Sequence, residues 1–292
     1  LGLRYSDEEK TAAIQQSNWF EKPLPYQSIA AQGVFSRDQN GVVVKTSGLN
    51  ILLPDLEAIG DLSLTFVENK PVEIDMALLL EPFQVRAVSQ YLPRKKLNVK
   101  LADWFDRALI SGTAKNTKFG LKGALDKMPD YYFKTKLDNT DVQYHKDWPI
   151  LNNANINLLL ENQALQAKVM SGNVLTTPIQ NTKINIKDIM QKPAVVEAEV
   201  NAVGRVEKLI DILQQSPLSQ RIGQGLVPYL FHGDMDISFD LQLPLSSNHI
   251  DDIKVDGLLL CKQTDAYLYR QDIPVEAIEG QLRFTENKIF SE

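Results

Sequence analysis

The 292-residue sequence contains one cysteine, Cys261. A lone cysteine excludes an internal disulfide and a cysteine-rich zinc module. Lying beside the apolar run Gly257 to Leu260, it reads as a small buried hydrophobe. Long hydrophobic runs are also missing: no window approaches the roughly 18 apolar residues of a membrane-spanning helix. Basic excess is missing too. Lysine and arginine number 31 against 37 acidic residues, for a net charge of -6. The densest basic cluster, Arg94, Lys95, Lys96 and Lys100, reads as a solvated helix start, so no nucleic-acid partner is expected.

Catalytic signatures are equally scarce. There is no Gly-x-Ser-x-Gly elbow and no Gly-x-x-x-x-Gly-Lys loop. Gly223-Gln224-Gly225 lacks the preceding strand that a dinucleotide loop needs. His145, His232 and His249 are the only histidines, and none has the helical spacing of a zinc hydrolase. The pair Asp251-Asp252 sits beside a turn, which is not the geometry of glycosidase carboxylates. The expectation is a protein without cofactor or metal that is not an enzyme.

What the sequence has is alternation. Phe133, Thr135 and Leu137 alternate with polar residues, as do Val142 and Tyr144. Leu165, Ala167 and Val169 do the same, then Ile184 and Ile186. The longest clean run is Ile237, Phe239, Leu241 and Leu243. A period of two gives one apolar and one wet face. Asp38-Gln39-Asn40-Gly41, Asp138-Asn139, Glu161-Asn162 and Ser171-Gly172-Asn173 read as turns between strands, so the strands form an antiparallel meander. Helical signals are confined to two inserts, near 82–110 and 205–230. The first holds an amphipathic stretch from Asn98 to Leu109, with Gly112 as its stop. The second holds two runs, Val206 to Leu213 and Leu218 to Leu230, broken at Ser216-Pro217. Residues 1–30 read as an irregular segment, and 31–292 as one repetitive β region.

The repetition is internal. Glu57 to Lys70 and Glu276 to Lys288 share Glu-Ala-Ile, an alternating core and Glu-Asn-Lys. Pro149 to Asn162 matches Pro274 to Asn287 in length, but its apolar alternation is slipped by one position. A bulge or looser kinship would account for that. A larger unit also recurs: a strand (Val72 to Leu80, then Val195 to Val203), a helical insert, a glycine (Gly112, then Gly233) and another strand. Stacked units of this kind build an extended sheet.

A family resemblance rests on these residues: Tyr91-Leu92-Pro93, the run Leu101-Ala102-Asp103-Trp104-Phe105-Asp106-Arg107-Ala108-Leu109 with Gly112 after it, Asp147-Trp148-Pro149 before an alternating strand, and Ser216-Pro217-Leu218. Together they resemble the central region of YhdP-like proteins, within the AsmA-like family of Gram-negative envelope proteins. The resemblance covers roughly Leu52 to the C-terminus. It implies a long, twisted antiparallel sheet curling into an apolar groove, and a role in binding or passing phospholipid acyl chains between the inner and outer membranes. It also implies a periplasmic location, with a tether to the inner membrane elsewhere in a longer chain. The sequence begins Leu1-Gly2-Leu3 and ends on Phe290-Ser291-Glu292; it is expected to be a segment of that longer chain, whose remainder would be its partner.

Alternation selects the candidate groove residues. In the first half these are Leu62, Leu64, Phe66, Phe133, Val142 and Tyr144. Leu158, Leu160, Leu165, Val169, Ile184 and Ile186 follow. Ile237, Phe239, Leu241, Leu282 and Phe284 complete the set. From the residues alone, the same face could instead be covered by a second sheet. That would make the chain a closed structural or assembly scaffold of the envelope. An enzyme acting on envelope glycans is a weaker third reading.

Overall fold

The computed structural model describes residues 2–4, 12–15, 19–38, 41–95, 99–216, 219, 229–245, 252–268, 272–286 and 289–291. Strands take up 68% of the chain, as the alternation requires.

Three short strands, β1 (Gly2–Arg4), β2 (Ala12–Gln15) and β3 (Leu24–Tyr26), form a small antiparallel sheet. This corrects the irregular reading of residues 1–30. Strands of three or four residues are too short to display a period.

The large sheet starts with β4 (Ser28–Asp38), β5 (Gly41–Leu53), β6 (Leu56–Phe66) and β7 (Glu73–Leu80). The first insert follows as β8 (Phe83–Gln84), a 3-10 turn over Val85–Tyr91, and helix α1 (Val99–Ala108). The meander resumes with β9 (Leu109–Ala124), β10 (Asp130–Val142), β11 (Leu151–Glu161), β12 (Ala164–Val174), β13 (Thr177–Ile186) and β14 (Val195–Arg205). Helix α2 (Val206–Gln214) is the described part of the second insert. Then come β15 (Tyr229–Pro244), β16 (Lys254–Leu268), β17 (Ile273–Thr285) and β18 (Ile289–Ser291). Neighbours in sequence are neighbours in the sheet from β4 to β18, apart from β8, which pairs off the path with β9. The order is open at both ends and does not close into a barrel.

The helices lie where the sequence placed them, with one correction. Gly112 is not a helix stop. Helix α1 runs directly into β9, and Gly112 lies inside that strand with φ 118°. Its repeat counterpart Gly233 lies inside β15 with φ 123°. At Gly233 this backbone freedom serves a bulge, since the register of β15 on β16 shifts between His232 and Asp234. The expected second run, Leu218 to Leu230, lies largely outside the described residues, as do His249, Asp251 and Gly223-Gln224-Gly225.

Two expected turns lie inside strands: the first is a left-handed step, the second a regular ladder in which Ser171, Gly172 and Asn173 stand opposite Gln180, Ile179 and Pro178. Asn139 (φ 46°) sits in the interior of β10, and Ser171-Gly172-Asn173 lies within β12. Asparagine tolerates the left-handed region, so a strand can step there without ending. Asn153 (φ 50°) does the same in β11, while β17 steps at Ala277 (φ 52°). In the repeat alignment these two residues are one position apart. Both repeats thus carry a left-handed step at nearly the same place.

The chain divides into two compact units, Leu1–Asp138 with Leu158–Asn162, and Asn139–Asn157 with Gln163–Glu292.

Candidate functional site

In the second unit the strand registers show which side chains share a face. Directly opposite residues of an antiparallel pair point the same way. Leu165 stands opposite Ile186, and Val169 opposite Thr182. Ile184 aligns with Ala198, Leu241 and Val255. Ile237 aligns with Ala202, Leu259 and Leu282; Phe239 aligns with Val200, Gly257 and Phe284. The candidates from Leu165 onward thus lie on one apolar face. Val169, Ile186 and Leu241 are buried; Leu165, Ile184, Ile237, Phe239, Leu282 and Phe284 are half-buried. The rings of Phe239 and Phe284 meet edge to face, with centroids 6.0 Å apart.

The other face carries charge. Lys183 pairs with Glu199 and Lys187 with Glu197, each at 2.6 Å. Lys262 meets Asp236 at 2.6 Å, and the Arg283 guanidinium forks onto Asp256 at 2.9 and 2.8 Å. Exposed pairs like these contribute little stability. Their consequence is for register: a one-residue slip of any strand would carry apolar side chains to the charged side.

One connection folds over the apolar face. Between β10 and β11, the Trp148 indole packs against the cluster of Ala198, Leu241, Leu243, Ile253 and Val255. The ring of Tyr144 is 6.2 Å from it. Tyr144 lies past the end of β10, although its alternation with Val142 had placed it in the strand. Burial pushes its phenol well above the usual pKa. Val142 itself ends β10 and is buried.

In the first unit, Leu62 stands opposite Met76 and Thr46, and Leu64 opposite Ile74 and Val44. Phe66 pairs with Val42 and remains 40% exposed. Leu62 and Leu64 pack with Ile74, Leu121 and Phe119 under Trp19 and Phe20. The Trp19 carbonyl accepts a hydrogen bond from the Lys95 N–H at 3.1 Å. Phe133 belongs to the same face. Two residues on, Thr135 shares a hydrogen bond of 2.7 Å with Thr117, which stands opposite Leu80. Leu158 and Leu160, two apart on β11, are half-buried. Sequence reasoning missed the covers, Trp19 with Phe20 and Trp148, because each is a short aromatic segment outside any periodic run.

Two histidines are described. His145 Nδ1 accepts from the Asp147 N–H at 3.2 Å, and His232 Nδ1 lies 2.9 Å from Glu207 Oε1. Burial works against ionising Glu207, but hydrogen bonds from Arg205 and His232 outweigh it and hold its pKa at about 2. Burial also raises the Cys261 thiol. Among the described residues no cluster of histidine, cysteine, aspartate or glutamate could hold a metal, and no helix is long and apolar enough to cross a membrane.

Each unit thus presents part of a single antiparallel layer with an apolar, half-open side. Among the described residues the only other sheet is the small one of β1 to β3. The class is an open-faced β-sheet protein. The chain belongs to the YhdP family, whose model, described as YhdP protein, matches residues 3–292. It is 21% identical over 209 residues to the intermembrane phospholipid transporter YhdP of Escherichia coli (strain K12). That alignment covers 70% of this chain and 16% of the relative, so the chain spans a minor part of the relative's length. No solved structure matches the chain.

Proposed function

We infer that the apolar face binds phospholipid acyl chains, and that the chain is the periplasmic part of a longer protein carrying phospholipid between the inner and outer membranes. The observation that carries this reading is the half-buried strip Ile184–Ile237–Phe239–Leu282–Phe284, backed by salt bridges on the opposite face. An apolar strip left half open in water is a binding surface seeking cover. Each methylene it takes from water contributes about 0.8 kcal/mol, so an acyl tail needs few polar contacts to stay. The relative's name, an intermembrane phospholipid transporter, supports the same ligand class and a carrier role. On this reading the tether to the inner membrane lies in the remainder of the longer protein.

A scaffold with a closed core is the second reading. Its support is the packing of Trp19 and Phe20 over Ile74 and Leu121.

Native mass spectrometry of the purified chain separates the two. Acyl-chain binding predicts co-purified phospholipid, and Phe239→Asp should strip it while the protein stays folded, because Phe239 retains access to water. Wild-type protein without lipid, or a Phe239→Asp protein that is insoluble, would favour the scaffold.

A further inference from the structure

Three buried polar atoms in the second unit find no hydrogen-bond partner in the protein: Trp148 Nε1, Thr177 Oγ1 and Thr182 Oγ1. Three other buried threonines are paired. Thr117 meets Thr135 at 2.7 Å, and Thr264 donates to the Asp234 carbonyl at 3.1 Å. Orphaned buried groups are few in native proteins, and each asks for a physical reason.

The position of two of them supplies one. Thr182 stands opposite Val169 on the apolar face. Two residues along β13, Ile184 packs against the same Ala198–Leu241–Val255 cluster that Trp148 covers. The Trp148 indole and the Thr182 hydroxyl therefore both belong to that face. Trp148 is also held in place. Gln143 Nε2 donates to the carbonyls of His145 and Trp148, at 2.7 and 2.9 Å. The Trp148 N–H donates to the His145 carbonyl at 3.3 Å. An indole nitrogen is only a donor. In apolar surroundings its bond to an oxygen is stronger than in water. A few placed polar groups in an apolar surface are the usual make-up of a small-molecule site.

We propose that Trp148 Nε1 and Thr182 Oγ1 each donate to an acceptor oxygen of an ester-linked amphiphile, a chain-ester carbonyl or a headgroup phosphate, and so fix where its acyl chain lies on the face. This rests on the acyl-chain reading above, and adds that the face recognises an oxygen as well as a tail.

The test uses the 292-residue chain labelled with nitrogen-15. Its three tryptophans give three indole resonances, and Trp148→Phe assigns one. The probes are dioctanoylphosphatidylglycerol, its ether-linked analogue and octane. A downfield shift of the Trp148 indole proton with the ester lipid alone supports a carbonyl contact. The shift with both lipids but not octane supports a phosphate contact. If octane moves it equally, or if a lipid moves Phe239 and Leu241 resonances while the indole stays put, the proposal falls and the acyl-chain reading stands. If no probe moves any resonance of the face, the acyl-chain reading fails and the proposal with it. Thr182→Val, which keeps the shape, should weaken ester-lipid binding several-fold and leave octane binding unchanged; equal loss of both would overturn the role of Thr182.

Discussion

The backbone N–H of Asn153 donates to Oδ1 of Asp141 on the neighbouring strand, at 2.9 Å. Asn153 is left-handed, and Asp141 sits two residues past another left-handed residue, Asn139. The relationship is reciprocal: the Asn139 N–H donates to Oδ1 of Asn155, two residues past Asn153, at 3.3 Å. It recurs between β16 and β17, where the N–H of left-handed Ala277 donates to Asp265, two residues past left-handed Gln263, at 2.8 Å. A bulge leaves a strand N–H without its ladder partner. Here a carboxylate or amide from the adjacent bulge accepts it.

Removing that acceptor should show the dependence. Asp141→Ala leaves the exposed Asn153 N–H with no side-chain acceptor and should cost about 0.5–1.5 kcal/mol, read as a lower urea midpoint at unchanged slope. Asp141→Asn keeps an oxygen and should recover most of the loss. Equal losses for the two would assign the effect to charge rather than to this bond.

The left-handed residues also explain how far the sequence could be read. Strand content followed from alternation, because opposite faces meet water and apolar neighbours, and helices α1 and α2 followed from the amphipathic runs Asn98 to Leu109 and Val206 to Leu213. The residues Ile237 to Leu243 are the clearest case; their register partners on β14 and β16 are apolar too. Asp138-Asn139 misled because asparagine serves turns and left-handed strand steps alike, and Ser171-Gly172-Asn173 because the same residues fit a regular strand once a neighbouring strand pairs with them. Trp19 and Trp148 were illegible as covers for a different reason: their contacts are with residues distant in the chain, which no local pattern encodes.

Ala277 offers a test in the opposite direction. A Cβ in the left-handed region costs roughly 1–2 kcal/mol, partly offset in a glycine variant by its freer unfolded chain. Ala277→Gly should therefore raise the melting temperature slightly, with a gain up to about 1 kcal/mol. A fall in melting temperature would mean that the methyl group makes contacts outweighing the strain.

Glu207 should give the protein a definite acid sensitivity. It lies in the first turn of α2, where a carboxylate is favoured by the helix dipole. Arg205 donates to it at 2.7 Å and His232 lies at 2.9 Å. Its folded pKa of about 2 is below the ordinary 4.5. A depressed carboxyl contributes stability above its ordinary value and loses it as pH falls through the folded one. The stability difference between wild type and Glu207→Gln should accordingly be largest at neutral pH and narrow between pH 4.5 and about 2. Urea midpoints measured across that range check this, and a difference independent of pH would contradict it.

Gly257 lies between Phe239 and Phe284, opposite both in register. A Cβ there would come within 2.5 Å of Phe239 Cβ and of Phe284 Cε1 and Cζ. The Phe284 ring end can swing away, but Phe239 Cβ is fixed by its backbone. Gly257→Ala should thus force the aromatic pair apart and cost about 1–3 kcal/mol, in the range of overpacking. Phe284→Ala alone should cost less than the about 3–5 kcal/mol of a fully buried phenylalanine, because the side chain is half exposed. The two changes share one space, so their effects should not add. With Phe284 shortened, the new methyl group meets only Phe239, and the double variant should be more stable than the sum of the single losses implies. Chemical denaturation of all four proteins measures the coupling. Strict additivity would mean that the ring does not rest on the glycine, and that the strip from Phe239 to Phe284 is not the single aromatic surface on which the acyl-chain reading depends.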